Sequence, residues 1–518
     1  MGDLPANLEV ELKFELTPAD ARKFARAPEI KALQTARTRS KPLQATYYDT
    51  PDQTLAQKGV ALRVRKEGRA FVQCLKAAAP GKSATGFARH EWEWRVLSQE
   101  LDFDDLTKEK EVKPYLKGID LKSLGPIYST DIRRQTRQIT MPGGSVILCE
   151  LDQGKVMAAG RDTQLYELEL ELVSGSDAEL LELARLITTI VPGRLSSRTK
   201  AYRGHVLFEG NGAPWFAAAH PPLPKKVSAE QVLRSAMLEG LKHLIVNEDC
   251  VLERSHIEGV HQMRVASRRM RSVLTTYKKI LPKGSFEDLS QHIKAIGNAL
   301  GPARDWDVFL DEVLGDVQRG FENAPALALM ETLAKAKQAE AYASAHKMIL
   351  SADYAKTLTD SLYWVATSGW TKQGKVPAKL AAPATVTAKS VLAKRHGELL
   401  KTGKGIESLS IEQRHELRIA IKKARYASSF FAELYPKKTT KAYLKALKGL
   451  QESLGHLNDL ATAERLMDEL AEGLSGDELC QIKRASGMVD GWYMHAQSLR
   501  EDELIKAWTA FVKIKPFW

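Results

Sequence analysis

Residues 8–16, LEVELKFEL, alternate between apolar and charged side chains. In an extended strand this sets Leu8, Val10, Leu12 and Phe14 on one face and Glu9, Glu11, Lys13 and Glu15 on the other. The same alternation returns in VALRVRK (60–66) with Arg63 and Arg65, and in HEWEWRVL (90–97) with Glu91, Glu93 and Arg95. It recurs in VILCELD (146–152) with Glu150 and Asp152, and in QLYELELELV (164–173) with Glu167, Glu169 and Glu171. Lys76 adds a further cation. Three carboxylates along one strand face destabilise it unless positive charge lies near. Lysines and arginines on other strands can supply that charge, and so can Mg2+ or Mn2+, hard cations that favour carboxylate oxygen. Acidic strands holding metal and basic strands holding an anionic substrate are the division that phosphoryl transfer needs. Two arrangements satisfy the alternation. The charged faces meet solvent over a shared apolar core, or they line a wet tunnel whose outer face is apolar and covered.

These runs, broken by Gly- and Pro-containing segments, predict an antiparallel sheet or barrel over the first ~200 residues, interrupted by helices at about 18–27 and 177–190. GNGAPWFAAAHPPLPKK (210–226), with Pro214, Pro221, Pro222 and Pro224, reads as a linker. Beyond it the period becomes helical. The expected domains are 1–208, a linker over 209–226, and a helical domain over 227–518 with repeats at about 227–370 and 387–513.

The chain has 518 residues, 44% of them hydrophobic, so it can bury more than one core. Its net charge is +12, unevenly shared: residues 1–210 hold 32 Lys and Arg against 29 Asp and Glu, the remainder 44 against 35. Such a balance favours an anionic partner without naming one. Cys74, Cys149, Cys250 and Cys480 are far apart, which speaks against structural zinc or a disulfide framework and for a reducing, cytoplasmic setting. The opening residues are no signal peptide, and no apolar run is long enough for a membrane span.

Glu9-x-Glu11-x-Lys13 resembles the ExExK signature of the CYTH superfamily, the triphosphate tunnel metalloenzymes. YYDTPDQTL (47–55), LRVRK (62–66), LDQGKV (151–156), YELELEL (166–172) and SSRTKAYRG (196–204) follow in that family's order. The resemblance covers about residues 6–208. It implies an eight-stranded antiparallel tunnel that hydrolyses or cyclises triphosphates with a divalent metal. It also implies roles: Glu9, Glu11, Asp152, Glu167, Glu169 and Glu171 as metal ligands, and Lys13, Arg63, Arg65, Lys76 and Lys200 as phosphate contacts. The family places a further arginine near RRQTR (133–137), where Arg134 is preferred to Arg133 and Arg137. Glu9, Glu11 and Lys13 form the expected catalytic core.

The helical half contains an internal repeat. VHQMRVASRRMRSVL (260–274) aligns without gaps with RHELRIAIKKARYAS (414–428), and at the same offset ALGPARD (299–305) meets SLGHLND (453–459). His261, Arg264, Arg268, Arg269 and Arg271 meet His415, Arg418, Lys422, Lys423 and Arg425, and Lys294 meets Lys448. At about 100 degrees per residue, His261, Arg264, Arg268 and Arg271 share one stripe, with Arg269 off it. The stripe is either a solvated or salt-bridged face, with Asp305 and Asp459 as candidate partners, or an anion site. HQMRVASRRMR and HELRIAIKKAR resemble the CHAD domain over about 227–513, with Gln262 a departure from its charged pattern. That resemblance implies two similar four-helix units and binding of long-chain polyphosphate through the basic residues of both copies.

The expected protein is thus an α+β chain: an eight-stranded antiparallel β tunnel with flanking helices, then an all-α domain of two repeated four-helix units. Its expected activity is metal-dependent hydrolysis of inorganic tripolyphosphate, in the cytoplasm or on polyphosphate granules. The other readings are a non-catalytic polyphosphate-binding protein, and a tunnel enzyme acting on thiamine triphosphate or forming cyclic AMP from ATP. Aromatic residues are not interleaved with the cationic motifs, which disfavours nucleic acid.

Overall fold

A computed structural model describes residues 7–79, 88–219, 223–224, 226–321, 323–371, 375–498 and 501–518. Pro221 and Pro222 of the expected linker lie outside them. Two compact units emerge. The first comprises Met1–Phe216, Leu244–Gly259 and Met348–Gly369; the second comprises Ala217–His243, Val260–Lys347 and Trp370–Trp518. The units therefore do not follow chain order: two short stretches from the helical half group with the strands.

The first unit holds strands β1 (Leu8–Glu15), β2 (Arg39–Asp49), β3 (Val60–Glu67), β4 (Ala70–Ala78), β5 (Ala88–Val96), β6 (Gly125–Thr140), β7 (Val146–Ala158), β8 (Arg161–Ser174) and β9 (Arg194–Ser196). Their order is β5-β4-β3-β2-β6-β7-β8-β1, and β1 returns to β5, so eight antiparallel strands close on themselves. The three-residue β9 adds to β1. Closure is short among the described residues: β1 and β5 pair at Leu8–His90, Glu9–Arg89 and Val10–Ala88, whereas β7 and β8 pair over their whole length. Ala159 and Gly160, both at positive φ, form the tight turn between β7 and β8.

Alternation decides which face is which. Val10, Leu12 and Phe14 are buried on the outer side of β1. The helix Asp177–Ile190, capped by Ser176, covers part of the outer wall with Leu180, Leu183 and Ile187. Leu62 and Leu75, directly opposed on β3 and β4, pack with Leu55, Leu106 and Leu116 from short helices and with Val112 just before the last of these, and Trp92 and Trp94 of β5 join them. The apolar faces are thus outside under helices, and the charged faces point inward. The expected helices at 18–27 and 177–190 appear as Pro18–Arg26 and Asp177–Ile190.

The second unit is helical. Helices Glu258–Tyr277, Glu287–Ala299 and Gly301–Val308 recur at the repeat offset in Ile411–Phe431, Lys437–Ser453 and Gly455–Ala471. Within it Leu399, Leu417, Ile421, Tyr443, Leu447 and Phe511 form one buried cluster. No helix is long and apolar enough to cross a membrane among the described residues.

Leu75→Ala removes a fully buried side chain from the covered wall, and should cost about 2–5 kcal/mol of tunnel stability. Urea unfolding followed by the fluorescence of Trp92 and Trp94 measures that loss.

Candidate functional site

Inside the barrel the register stacks charged side chains in rows. Glu11 lies opposite Glu171, Lys13 opposite Glu169 and Glu15 opposite Glu167 across β1 and β8. Glu150 and Asp152 on β7 lie opposite Glu169 and Glu167, and Arg134 on β6 opposite Asp152. On the other side Lys76 lies between Ala61 and Glu91, and Arg63 opposite Tyr47. These rows enclose a cavity of about 440 Å³.

Ten of the expected tunnel residues line it: Glu9, Glu11, Lys13, Arg63, Arg65, Lys76, Arg134, Glu169, Glu171 and Lys200. Asp152 and Glu167 stand behind the lining, fully buried. Arg134 is the tunnel arginine of its triplet. Arg133 is exposed, and Arg137 lies over the Phe24 ring with its guanidinium donating to the Ala25 carbonyl.

The charges are less cleanly sorted by strand than the alternation alone suggests, because three cations sit within the acidic wall. Arg134 donates to both carboxylate oxygens of Asp152, at 2.7 and 2.6 Å, and reaches Glu169 at 2.7 Å and Glu150. Lys200 reaches Asp152 at 2.8 Å, Glu169 at 3.0 Å and also Glu167. Lys13 pairs with Glu11 at 2.8 Å and with Glu169. The reason is desolvation: carboxylates this deep keep their charge only beside cations. Burial pushes Glu169 up, but Lys13, Lys200 and Arg134 outweigh it and hold the group well below the usual range. Asp152 is likewise pushed up by burial and held down by Lys200 and Arg134.

The other lobe is short of positive charge. Burial and the neighbouring Glu11 carboxylate push Glu9 up to about 8, although Lys76 donates to it at 2.6 Å. Burial and Glu150 push Glu171 up to about 7. Glu11 Oε1 is buried without a hydrogen-bond partner, as are Arg63 Nε and Arg65 Nε on the opposite wall. Asp152, Glu167 and Glu169 each offer an oxygen within 4.8 Å of the others, a spacing that suits a metal ion. Their oxygen donors fit a hard divalent cation, and so does the raised pair Glu9 and Glu171, which extra positive charge would stabilise.

Sequence reasoning missed Arg89, 3.8 Å from Glu11, and Lys41, both of which line the cavity. Arg89 shares parity with Glu91 and Glu93, so extending that run by one residue finds it. Lys41 precedes Pro42 in a strand with no clear alternation.

In the helical unit Arg269, Arg425 and Lys448 line a groove of about 700 Å³ beside Val265, Val273, Phe430 and Leu444. Arg268 and Arg425, one from each repeat, lie over the Tyr426 ring at 5.3 and 5.6 Å. The repeat helices are thereby brought together. Arg264 instead donates to the Gly297 carbonyl at 3.0 Å, and Asp305 pairs with Arg465 at 2.9 Å. The Asp459 side chain lies outside those described. His261, Arg271, Lys294, His415, Arg418, Lys422 and Lys423 do not line the groove. Lys437, Lys441 and Lys445 do, and their i,i+4 spacing was the overlooked signal.

In metal-free protein, the raised values of Glu9 and Glu171 mean that the folded state keeps protons the unfolded state has lost. Stability contributed by this lobe should therefore be greatest near pH 5 and fall as pH rises toward about 8. Thermal midpoints in chelator across pH 5–9 test this, and Glu9→Gln should flatten the decline.

Residues 7–204 match the CYTH domain family and residues 235–468 the CHAD domain family. An inorganic triphosphatase of Haemophilus influenzae is 31% identical over 163 residues, covering 31% of this chain and 45% of that protein. An uncharacterised protein of Mycobacterium tuberculosis is 27% identical over 336 residues, covering 60% of this chain and 59% of that one. The chain thus spans about half the length of the curated relatives it matches. The crystal structure of the CHAD domain from Ricinus communis is 31% identical, with a TM-score of 0.49, over 57% of this chain and 96% of that domain. A putative adenylyl cyclase from Hippeastrum, whose reported dominant activity is that of a triphosphatase, is 18% identical with a TM-score of 0.28, over 39% of this chain and 96% of that one. With a closed tunnel of eight antiparallel strands followed by a helical domain, the chain is a CYTH–CHAD fusion, belonging to the CYTH family through its first part and to the CHAD family through its second.

Proposed function

We propose that the tunnel hydrolyses inorganic tripolyphosphate with a divalent cation, Mg2+ or Mn2+, and that the helical domain binds long-chain polyphosphate. The carrying observation is one cavity that brings Arg63, Arg65 and Lys76 together with Glu9, Glu11 and Glu171, where the Nε atoms of both arginines lack acceptors and burial pushes Glu9 up to about 8. Arg63, Arg65 and Lys76 offer N–H groups to phosphate oxygens, and Lys13, Arg134 and Lys200 hold the acidic wall in place while facing the same space. Glu9, Glu11 and Glu171 would hold the cation at the cavity surface, with Asp152, Glu167 and Glu169 as the deeper donors. When bound, the cation neutralises phosphate oxygens and lowers the pKa of water. The chain's own task is to align the phosphate chain and exclude bulk water, so that charge developing at the transferred phosphoryl group meets fixed donors. The relative named as an inorganic triphosphatase supports the choice of substrate.

Phosphate release from tripolyphosphate should need Mg2+ or Mn2+ and stop in chelator. Arg63→Ala should lower kcat/KM by about 100-fold, as expected for a lost oxyanion donor. Glu11→Ala should abolish metal-dependent turnover with the fold intact by circular dichroism. Unchanged release in Glu11→Ala would overturn the reading. ATP and thiamine triphosphate on the same preparation set the substrate preference.

The groove of the helical unit supports the second part, since Arg269, Arg425 and four lysines line it against one carboxylate, Glu433. Arg425→Glu combined with Lys448→Glu should weaken polyphosphate binding and reduce its salt dependence, leaving tripolyphosphate hydrolysis unchanged. Fluorescence anisotropy with labelled polyphosphate reads the first effect and phosphate release the second.

A further inference from the structure

Lys200 reaches the acidic wall from outside the strand lattice, at the first turn of the helix Lys200–Glu209, which Thr199 caps. A lysine on such a segment is placed only as well as the segment is anchored. Three arginines flank it: Arg194 on β9, Arg198 in the connection, and Arg203 one turn along the helix. Each is clamped on carboxylates. Arg194, fully enclosed, reaches Glu248 and Asp249 at 2.8 Å each and also Glu15. Arg198 pairs with Asp249, and with Glu253 at 2.9 Å. Arg203 pairs with Glu15 and stands 4.0 Å from Glu167, which also pairs with Lys200. Ser196 donates to Glu15 at 2.9 Å, and Tyr354 donates to Glu248 at 2.7 Å. The helix is seated closely: a Cβ at Gly204 would lie 2.1 Å from the Tyr128 ring.

The three central carboxylates are Glu15, Glu248 and Asp249. Two of them lie more than forty residues beyond the end of the CYTH match, in the stretch Leu244–Gly259 that packs with the strands. We propose that Glu248 and Asp249 are positioning residues of the tunnel, which fix Arg194 and Arg198 and so hold Lys200 where it meets the triphosphate. The hydrolase site is then completed by chain belonging to the helical half. Removing one partner from a buried cluster of this kind leaves a desolvated cation, so its neighbours must rearrange. Both arginines lie on the segment that carries Lys200, so loosening their partners shifts the Lys200 ammonium. This inference rests on the tripolyphosphatase reading of the tunnel.

The test uses the full-length chain. Asp249→Asn, and separately Glu248→Gln, should raise KM for tripolyphosphate by about tenfold with kcat changed less than about twofold, the mark of a misplaced binding group. Asp249→Glu should recover part of the loss. The decisive comparison is a double-mutant cycle with Lys200→Met. If Asp249 acts through Lys200, adding Asp249→Asn to Lys200→Met changes kcat/KM no further. Full additivity of the two, or a fall in kcat alone, overturns the proposal. Should Asp249→Asn fail to fold, Tyr354→Phe removes one hydrogen bond from the cluster and should show the same KM-selective effect at smaller size. Calorimetric binding of tripolyphosphate gives a second readout. If wild-type protein binds it without turnover, the hydrolase reading fails while the positioning cycle is still read on Kd.

Discussion

The constraint on which the molecule depends is the burial of many charges inside a closed sheet. A carboxylate removed from water keeps its charge only where cations surround it, and a cation only where acceptors do. The barrel meets this requirement in two unequal ways. Around Asp152 and Glu169 it supplies Lys13, Arg134 and Lys200, which also reach Glu167, Glu11 and Glu150. Around Glu9 and Glu171 it falls short, and burial with neighbouring carboxylates pushes both groups up. The first cluster is tied together by its own ion pairs, and the second leaves carboxylates whose charge burial disfavours. A tunnel built wholly in the first way would be stable and inert. One built wholly in the second way would repel itself open.

Much of this was legible from alternation. Period-two runs marked β1, β3, β5, β7 and β8, and parity alone placed Glu9, Glu11, Arg63, Arg65 and Glu169 on one face of their strands. It could not decide whether that face met solvent or a cavity, because both give the same pattern in a half-buried sheet. The resemblance of ordered motifs decided it. Strands β2, β4 and β6 were harder. RSKPLQATYYD is interrupted by Pro42, and AFVQCLKAA carries one inward charge among small and apolar residues. The family resemblance prefers Arg134 in its triplet and leaves Arg133 and Arg137 open; the structure has Arg133 exposed and Arg137 over Phe24.

Long-range partnership was not legible. Glu248 and Asp249 sit in a helical run, IVNEDCVLE, with nothing to distinguish them from surface acids, yet both are buried against Arg194. The helical repeat presents the converse case. Its offset was plain from sequence and its paired helices do meet at Tyr426, but the groove lining draws on Arg269 from outside the expected stripe and on three lysines of helix Lys437–Ser453. A helical wheel treats each helix alone, whereas a groove is defined by which of its neighbours leaves a face uncovered.

The short pairing of β1 with β5 gives Lys76 a double duty. Its ammonium bridges Glu9 on one strand and Glu91 on the other, at 2.6 and 3.1 Å, and so acts as a latch over a seam that pairs three residues of each strand among the described residues. Any oxyanion that draws hydrogen bonds from this group competes with the latch. Capturing cargo and keeping the wall fastened therefore compete for a single nitrogen, and a guest that bridges both strands itself would restore the fastening it displaces.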